Sequence, residues 1–382
     1  MRIAVDARPL AAPLTGIGRY TRALLEAMVP LGHQWFLYSD RPLHMQLPEN
    51  PRVMVRHGDA RGGTPGSLRW AQWQYSRWAL QDVADLFWSP RHHLPLLLDS
   101  HIARVVTIHD LVWRQFPETM RVKNLWLERA LMSPSIRSAD QVICVSRFTA
   151  SEVSRYYPTA VGRCRVIHEA AEEAVAIAPP PIDLPGQYLL FVGTLEPRKN
   201  LPRLLQALAA LRDDPAVPPL LIVGGSGWGG EDLPRLIAEL DLKDRVRLCG
   251  HVSDAELQGL YAGAHCLLMP SLYEGFGLPL LEAMQHGVPV IASSTSSLPE
   301  VAGDAGLLIN PYSVAELADA IRRMVHEPEL HARLSQRAGL RAAQFSWRRA
   351  AEETLQLFEQ TLAEHEPKAY RHRHVSGGQQ LD

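Results

Sequence analysis

Residues 265–269 read HCLLM, and 270–282 follow as Pro270-Ser271-Leu272-Tyr273-Glu274-Gly275-Phe276-Gly277-Leu278-Pro279-Leu280-Leu281-Glu282. The first run is short and apolar, as in a strand buried on both faces. The second is a loop with two glycines, and Pro279 suits the first turn of a helix. A strand that runs through a glycine loop into a helix is the repeating unit of a parallel α/β sheet. Ligands of such sheets bind outside the carboxyl ends of the strands. Gly275 and Gly277 let the backbone come close to a ligand, and the amides of Phe276 and Leu278 open the helix. Glu274 on the loop and Glu282 on the helix are placed to accept hydrogen bonds from vicinal hydroxyls, which carboxylates do well.

The same unit recurs upstream. The strand run YLLFV (188–192) leads into Gly193-Thr194-Leu195-Glu196-Pro197-Arg198-Lys199-Asn200 and then a helical pattern. Two adjacent cations at a helix start oppose the macrodipole, and a phosphate between them and the free N–H groups removes the conflict. Strand runs are expected at 188–192, 220–223, 246–248, 266–269 and 290–292, with helices between them. An earlier series has strands at 2–6, 35–38, 52–56, 86–88, 103–108, 141–145 and 165–167, with helices at 18–28, 68–80, 122–138 and 146–156. The aperiodic, proline-rich VAIAPPPIDLPG (175–186) separates the two series. The organisation expected is α/β, with two doubly wound parallel-sheet (Rossmann-like) domains facing a cleft. Residues 1–174 form the first domain, 175–186 a linker and 187–345 the second domain. A helix over 346–365 returns to the first domain, and 366–382 form a disordered tail.

The chain has 382 residues, enough for two domains. No apolar run is long enough to span a bilayer, and no basic segment followed by an apolar one suggests a signal peptide. Four scattered cysteines read as reduced core residues, which suits a cytoplasm. Charge is uneven. Residues 1–170 hold 21 Lys+Arg against 14 Asp+Glu, or +7, and the remainder holds 18 against 27, or −9. A basic first half points to an anionic partner, such as a phosphate-bearing acceptor or a membrane surface.

Glu274 and Glu282 resemble the E-x7-E signature of retaining GT-B glycosyltransferases of family 4. Further features match in order: Thr15-Gly16-Ile17-Gly18-Arg19-Tyr20, Thr107-Ile108-His109-Asp110-Leu111, Val145-Ser146-Arg147-Phe148, Gly193 to Asn200, Gly250-His251-Val252-Ser253-Asp254 and Ser297-Leu298-Pro299-Glu300-Val301. Within the family the sequence is similar to mannosyltransferases of bacterial polysaccharide and O-antigen assembly.

The resemblance implies roles. Arg198 and Lys199 bind the donor diphosphate and stabilise the leaving group. Glu274 contacts the transferred hexose, and Glu282 the ribose. The Gly275 to Leu278 backbone holds sugar and phosphate oxygens, while His251 and Val252 face the base. Gly193 borders the phosphates, and the Gly16–Gly18 loop borders the phosphates and the acceptor pocket, with 1–174 as the acceptor-side domain and 187–345 as the nucleotide-sugar domain. His109 reaches the donor sugar or the acceptor, with Arg19, Asp110 and Arg147 on the acceptor side. It also implies retention of configuration, with GDP-mannose as donor, or a GDP-linked deoxyhexose such as rhamnose, or a UDP-hexose. The acceptor would be a glycan on a lipid diphosphate carrier at the inner membrane face. No Asp-x-Asp occurs, so the cation pair replaces a metal, and no cofactor is expected beyond the sugar nucleotide. His92-His93 and His372-x-His374 lack carboxylate or cysteine support as metal ligands. The helix 68–80, with Trp70, Trp73, Tyr75 and Trp78, reads as core-facing, with a membrane-surface reading beside it. A nucleotide-dependent oxidoreductase is the rival class. However, the span Arg8 to Thr15 intervenes between the first strand and Gly16, and Thr21 replaces the third glycine of the dinucleotide fingerprint.

Overall fold

The computed structural model describes residues 1–12, 16–44, 50–58, 63–172, 186–225, 227 and 232–365, with the side chains of 63–65 left aside. Thr15, all of the linker except Gly186, the expected tail and His372-x-His374 lie outside the described residues.

Two parallel sheets make up the frame. The first contains β1 Arg2–Asp6, β2 Gln34–Ser39, β3 Val53–His57, β4 Leu86–Ser89, β5 Ala103–Ile108, β6 Gln141–Cys144 and β7 Cys164–Val166. Its strand order is β3-β2-β1-β4-β5-β6-β7. The second contains β8 Leu189–Val192, β9 Leu220–Val223, β10 Val246–Gly250, β11 Cys266–Met269, β12 Val290–Ser293 and β13 Gly306–Ile309, in the order β10-β9-β8-β11-β12-β13. Strand order reverses between β1 and β4 and again between β8 and β11. Such switch points leave a crevice at the carboxyl ends of the strands. The inner strands are apolar and buried along most of their length, because helices cover both faces of a parallel sheet.

The C-terminal helix Trp347–Glu364 packs on the first domain. The Trp347 ring meets Tyr20 edge-on at 5.8 Å, and Phe358 lies 5.9 Å from Trp88. His365 reaches the Ser100 carbonyl at 2.9 Å. The helix Gly63–Gln81 turns Trp70, Tyr75 and Trp78 into an aromatic cluster with Tyr38 and Phe87, while Trp73 is 69% exposed. The core reading therefore accounts for three of its four aromatics.

Several elements go beyond the sequence expectation, among them the short helices Val112–Gln115 and Leu298–Ala302. β13 is a short edge strand, partly exposed, with no polar alternation to mark it. The helix Pro328–Ala342 buries only Leu330, Leu334 and Ala338 among many arginines, so its apolar stripe is thin. All four cysteines are free. Among the described residues no helix is long and apolar enough to cross a membrane.

Candidate active site at the second switch point

The site begins where β8 and β11 part. Gly193 follows β8 with φ +154°, and a Cβ on Gly224 would stand 2.0 Å from the Gly193 carbonyl oxygen. The chain can turn this tightly only with glycine at 224. Arg198 and Lys199 then lie on a single 3-10 turn, Pro197–Lys199, one residue ahead of the helix Leu201–Ala209. The sequence expectation put them on the helix start itself. Asn200 breaks the continuity by adopting φ +61°, which asparagine tolerates better than most residues. Its Nδ2 donates to the Pro270 carbonyl at 2.9 Å and the Pro311 carbonyl at 2.7 Å, pinning the turn to the loops after β11 and β13.

Both cations converge on Glu274. Arg198 Nη1 donates to Oε2 at 2.7 Å and Lys199 Nζ to Oε1 at 2.6 Å. Arg198 also donates to Glu196 at 3.0 Å and to the Tyr273 carbonyl at 3.2 Å. Burial opposes every charge in this cluster. It lowers the Lys199 ammonium below its usual range despite Glu274. For Glu274 burial alone would raise the carboxyl, but Arg198 and Lys199 outweigh it and hold it at about 2. The Arg198 guanidinium, also buried, is pushed up by Glu274 and Glu196. Two cations thus share Glu274 in a buried crevice, and Arg198 has Glu196 besides.

The loop carrying Glu274 is held from behind. The Glu274 N–H donates to Ser296 Oγ at 3.1 Å, and Ser297 Oγ donates to the carbonyls of Glu274 at 2.9 Å and Phe276 at 2.8 Å. Gly277, at φ +108°, precedes the helix Leu278–Gln285, which no side chain caps. Pro279 carries no N–H and the Leu280 N–H donates to the Gly277 carbonyl at 2.9 Å, so of the first three residues the Leu278 amide is the one that can meet a ligand. Glu282 is 2% exposed, yet its Oε1 accepts from Arg19 Nη2 at 2.5 Å and its Oε2 from Tyr261 OH at 2.7 Å. Burial opposes the charge on Arg19, but Glu282 and Glu172 together raise it.

The first domain closes over this loop. Ser146 Oγ donates to the Gly275 carbonyl at 2.7 Å, and a Cβ at Gly275 would lie 1.9 Å from the His109 carbonyl oxygen. Gly275 therefore admits the facing domain's backbone. His109 follows β5 with Nδ1 3.0 Å from Glu169 and Nε2 2.8 Å from the Pro90 carbonyl, so both ring nitrogens face acceptors inside the first domain. The Leu111 N–H donates to Tyr273 OH at 2.9 Å. Glu300 accepts from the Arg147 N–H at 3.0 and 2.9 Å, and its Oε1 lies 2.6 Å from His168 Nε2. A cavity of about 390 Å³ remains between the domains, lined by Asp110, Thr119, Arg121, Asn124, Glu196 and Arg198 among others.

Arg198, Lys199, Glu274 and the cavity-lining Asp110 thus meet at the cleft, with Gly193, Gly275, Phe276, Gly277 and Leu278 forming the loops around them. Arg19 touches Glu282. Gly16 and Gly18 sit in the first turn of the helix Gly16–Met28 instead of a loop. The Arg147 side chain is exposed, and its contact across the cleft is made by its backbone. His251 is exposed and Val252 buried just past β10. Sequence reasoning left out Asn200, Ser296, Ser297, Tyr261 and Glu300 as site residues, although four of these lay beside or inside quoted motifs. It also missed that Glu128 approaches both His92 at 3.3 Å and His93 at 3.1 Å. Even so, no group of three His, Cys, Asp or Glu side chains is placed to hold a metal among the described residues.

Residues 14–173 match the model for Glycosyltransferase Family 4, and 175–341 that for Glycosyl transferases group 1. The chain is 30% identical to the O-antigen chain mannosyltransferase B of Escherichia coli, over 94% of this chain and 99% of that one. Among solved structures it resembles sucrose-phosphate synthase of Thermosynechococcus elongatus, with a TM-score of 0.78 at 24% identity, covering 95% of this chain and 99% of that one. It also resembles Anabaena HepE in complex with UDP and glucose, with a TM-score of 0.72 at 20% identity over 94% and 99% of the two chains. With both halves matched and a relative at this identity aligned along nearly its whole length, the chain belongs to glycosyltransferase family 4, an enzyme family of the GT-B fold.

Proposed function

We propose that the enzyme transfers mannose from GDP-mannose, with retention of configuration and without a metal, to a growing O-antigen-type glycan on a lipid diphosphate carrier at an anionic membrane face. The buried Arg198–Glu274–Lys199 cluster at the β8/β11 switch point carries this reading. In this reading a donor diphosphate draws both cations onto its oxygens and frees Glu274 to accept from hexose hydroxyls. The cations then meet the charge that develops on the leaving phosphate, as preorganised donors do in a dry site. The acceptor hydroxyl enters from the cavity beside Asp110 and attacks on the face that the phosphate leaves, and its proton passes to the departing phosphate oxygen. The mannosyl assignment is supported by the O-antigen relative, and the anionic carrier by the +7 balance of residues 1–170.

A thermal-shift panel of GDP-, UDP-, ADP- and dTDP-sugars tests the donor. GDP-mannose is expected to give the largest rise in Tm. A larger rise with a UDP-hexose overturns the donor assignment.

A further inference from the structure

Behind the cavity wall lies a cluster of imidazoles that the transfer chemistry leaves unused. Arg121 and Asn124 line the cavity from the start of the helix Val122–Ser138. Glu128 follows Asn124 by one turn on the same face. Its Oε2 meets His92 Nδ1 at 3.3 Å and His93 Nε2 at 3.1 Å. Both rings are buried, His92 at 7% exposure and His93 at 1%. The other nitrogen of His92, Nε2, accepts the His109 N–H at 3.2 Å. His92 thus links the helix that walls the cavity to the turn after β5.

These contacts fix the protons. A ring nitrogen that accepts from an amide carries no proton, so the proton of His92 sits on Nδ1 and donates to Glu128. A second proton would go to Nε2 and set two donors face to face. Around His92 the charges are divided. Burial opposes the imidazolium and Glu128 favours it, Asp110 adds to Glu128 and Arg91 opposes, and on balance the ring is raised above its ordinary range. His93, lowered by its burial, stays neutral, and the His109 ring lies 5.8 Å away. The turn that begins at the His109 N–H carries Asp110 into the cavity. Its other ties are the His109 carbonyl, which accepts from Thr149 Oγ1 at 3.2 Å, the His109 ring on Glu169 and Pro90, and the Leu111 N–H on Tyr273.

We infer that His92, oriented by Glu128, is a positioning residue for glycosyl transfer: unprotonated at Nε2 it holds the His109 N–H and keeps Asp110 in the cavity, and on protonation it releases that turn. This inference rests on the reading that transfer takes place in the cavity beside Asp110. Its sign follows from the bond. Turnover needs the neutral ring, so it is full on the alkaline side and falls as pH is lowered through the ionisation of His92.

Hydrolysis of GDP-mannose by the full chain, or of whichever sugar nucleotide gives the largest thermal shift, tests this between about pH 5.5 and 9. Wild-type kcat should fall on the acid side. His92→Gln puts an amide oxygen near the place of Nε2, where it accepts the same N–H and does not titrate. That variant should stay within a few-fold of wild type at the alkaline end and lose the acid fall. His92→Ala should lower kcat about three- to tenfold, the size of one hydrogen bond, with little change in KM for the donor. Glu128→Gln removes the charge that favours the imidazolium, so its acid fall should move to lower pH. An acid fall that persists in His92→Gln, or stays in place in Glu128→Gln, overturns the inference. Nitrogen-15 spectra of histidine-labelled protein read the proton directly. At about pH 8.5 the His92 signals, identified by their loss in the variants, should show a protonated Nδ1 and a bare Nε2. The opposite tautomer also overturns it. If GDP-mannose turns over but the acid fall ignores His92, the inference falls and the proposed function stands. If no sugar nucleotide turns over while Nε2 is bare, the proposed function falls and the His92 contact stands.

Discussion

Arg198 and Lys199 share the Glu274 carboxylate, so effects on rate and on stability should separate. Arg198→Ala is expected to lower kcat by about 10²–10³, the usual cost of losing one preorganised donor to a developing charge. Steady-state turnover of the donor checks this, and a near-normal rate would remove Arg198 from the leaving-group role. Glu274→Gln leaves the buried Lys199 without its counter-charge and Arg198 with Glu196 alone, and breaking such a buried pair costs about 3–5 kcal/mol. Its Tm should fall by several degrees. A nucleoside diphosphate supplies the missing charge, so GDP should raise the Tm of the variant by more than that of wild type. An equal shift in both would mean that Glu274 is not the resting counter-ion. The pH dependence has a definite sign. The folded Glu274 carboxyl lies at about 2, below its ordinary value of 4.5. A depressed carboxylate stabilises the fold above its ordinary value, and that contribution is lost as pH falls through the folded one. Wild-type stability should therefore drop between about pH 4.5 and 2, and the Gln variant should show a shallower drop over that window.

Among the elements, the helix Arg147–Tyr156 shows how the two domains are tied. Ser146 caps it locally, and its first N–H groups also donate to Glu300 from the other domain. Burial works against the Glu300 carboxylate, but His168 and those N–H groups hold it below its usual range. A carboxylate at a helix N-terminus gains from the macrodipole as well as from the hydrogen bonds. Glu300→Ala should cost about 1–2 kcal/mol, in the range of a lost cap. Because the contact crosses the cleft, the loss should also loosen closure. Small-angle scattering should show a larger radius of gyration with unchanged circular dichroism. A lower Tm with an unchanged radius would make Glu300 a local cap only.

Closure joins the two switch points across the whole molecule. Gly275 against His109, Tyr273 against Leu111 and Glu282 against Arg19 all join the loop after β11 to the first domain. Beside Arg198 this closure leaves the cavity lined by Asp110, which the proposed function gives to donor and acceptor. In the proposed mechanism the cations take the part that a divalent metal plays for leaving phosphates in other sites. Exhaustive chelation should leave transfer within about twofold, which is roughly 0.4 kcal/mol of barrier. Loss of activity that Mg²⁺ or Mn²⁺ restores would refute the metal-free mechanism.

The amino-acid sequence determined the two sheets and most of their strands. Short apolar runs such as LLFV and CLLM, each followed by glycines and a helical period, have few other folded solutions. It also placed Arg198, Lys199, Glu274 and Glu282 in loops and helix starts after strands, where ligands of such sheets bind. It did not show the thin-striped helix Pro328–Ala342 or the edge strand β13, because both depend on packing against neighbours more than on a local pattern. Only the tertiary structure decided which charges meet. Glu274 and its two cations are about 75 residues apart in sequence. Arg19 finds Glu282, and Glu300 caps a helix of the other domain. Periodicity along one chain says which face of an element is apolar, whereas the meeting of two loops depends on strand order and domain closure. For the same reason Gly275 reads in sequence as room for a ligand and proves in the fold to be room for the opposite domain.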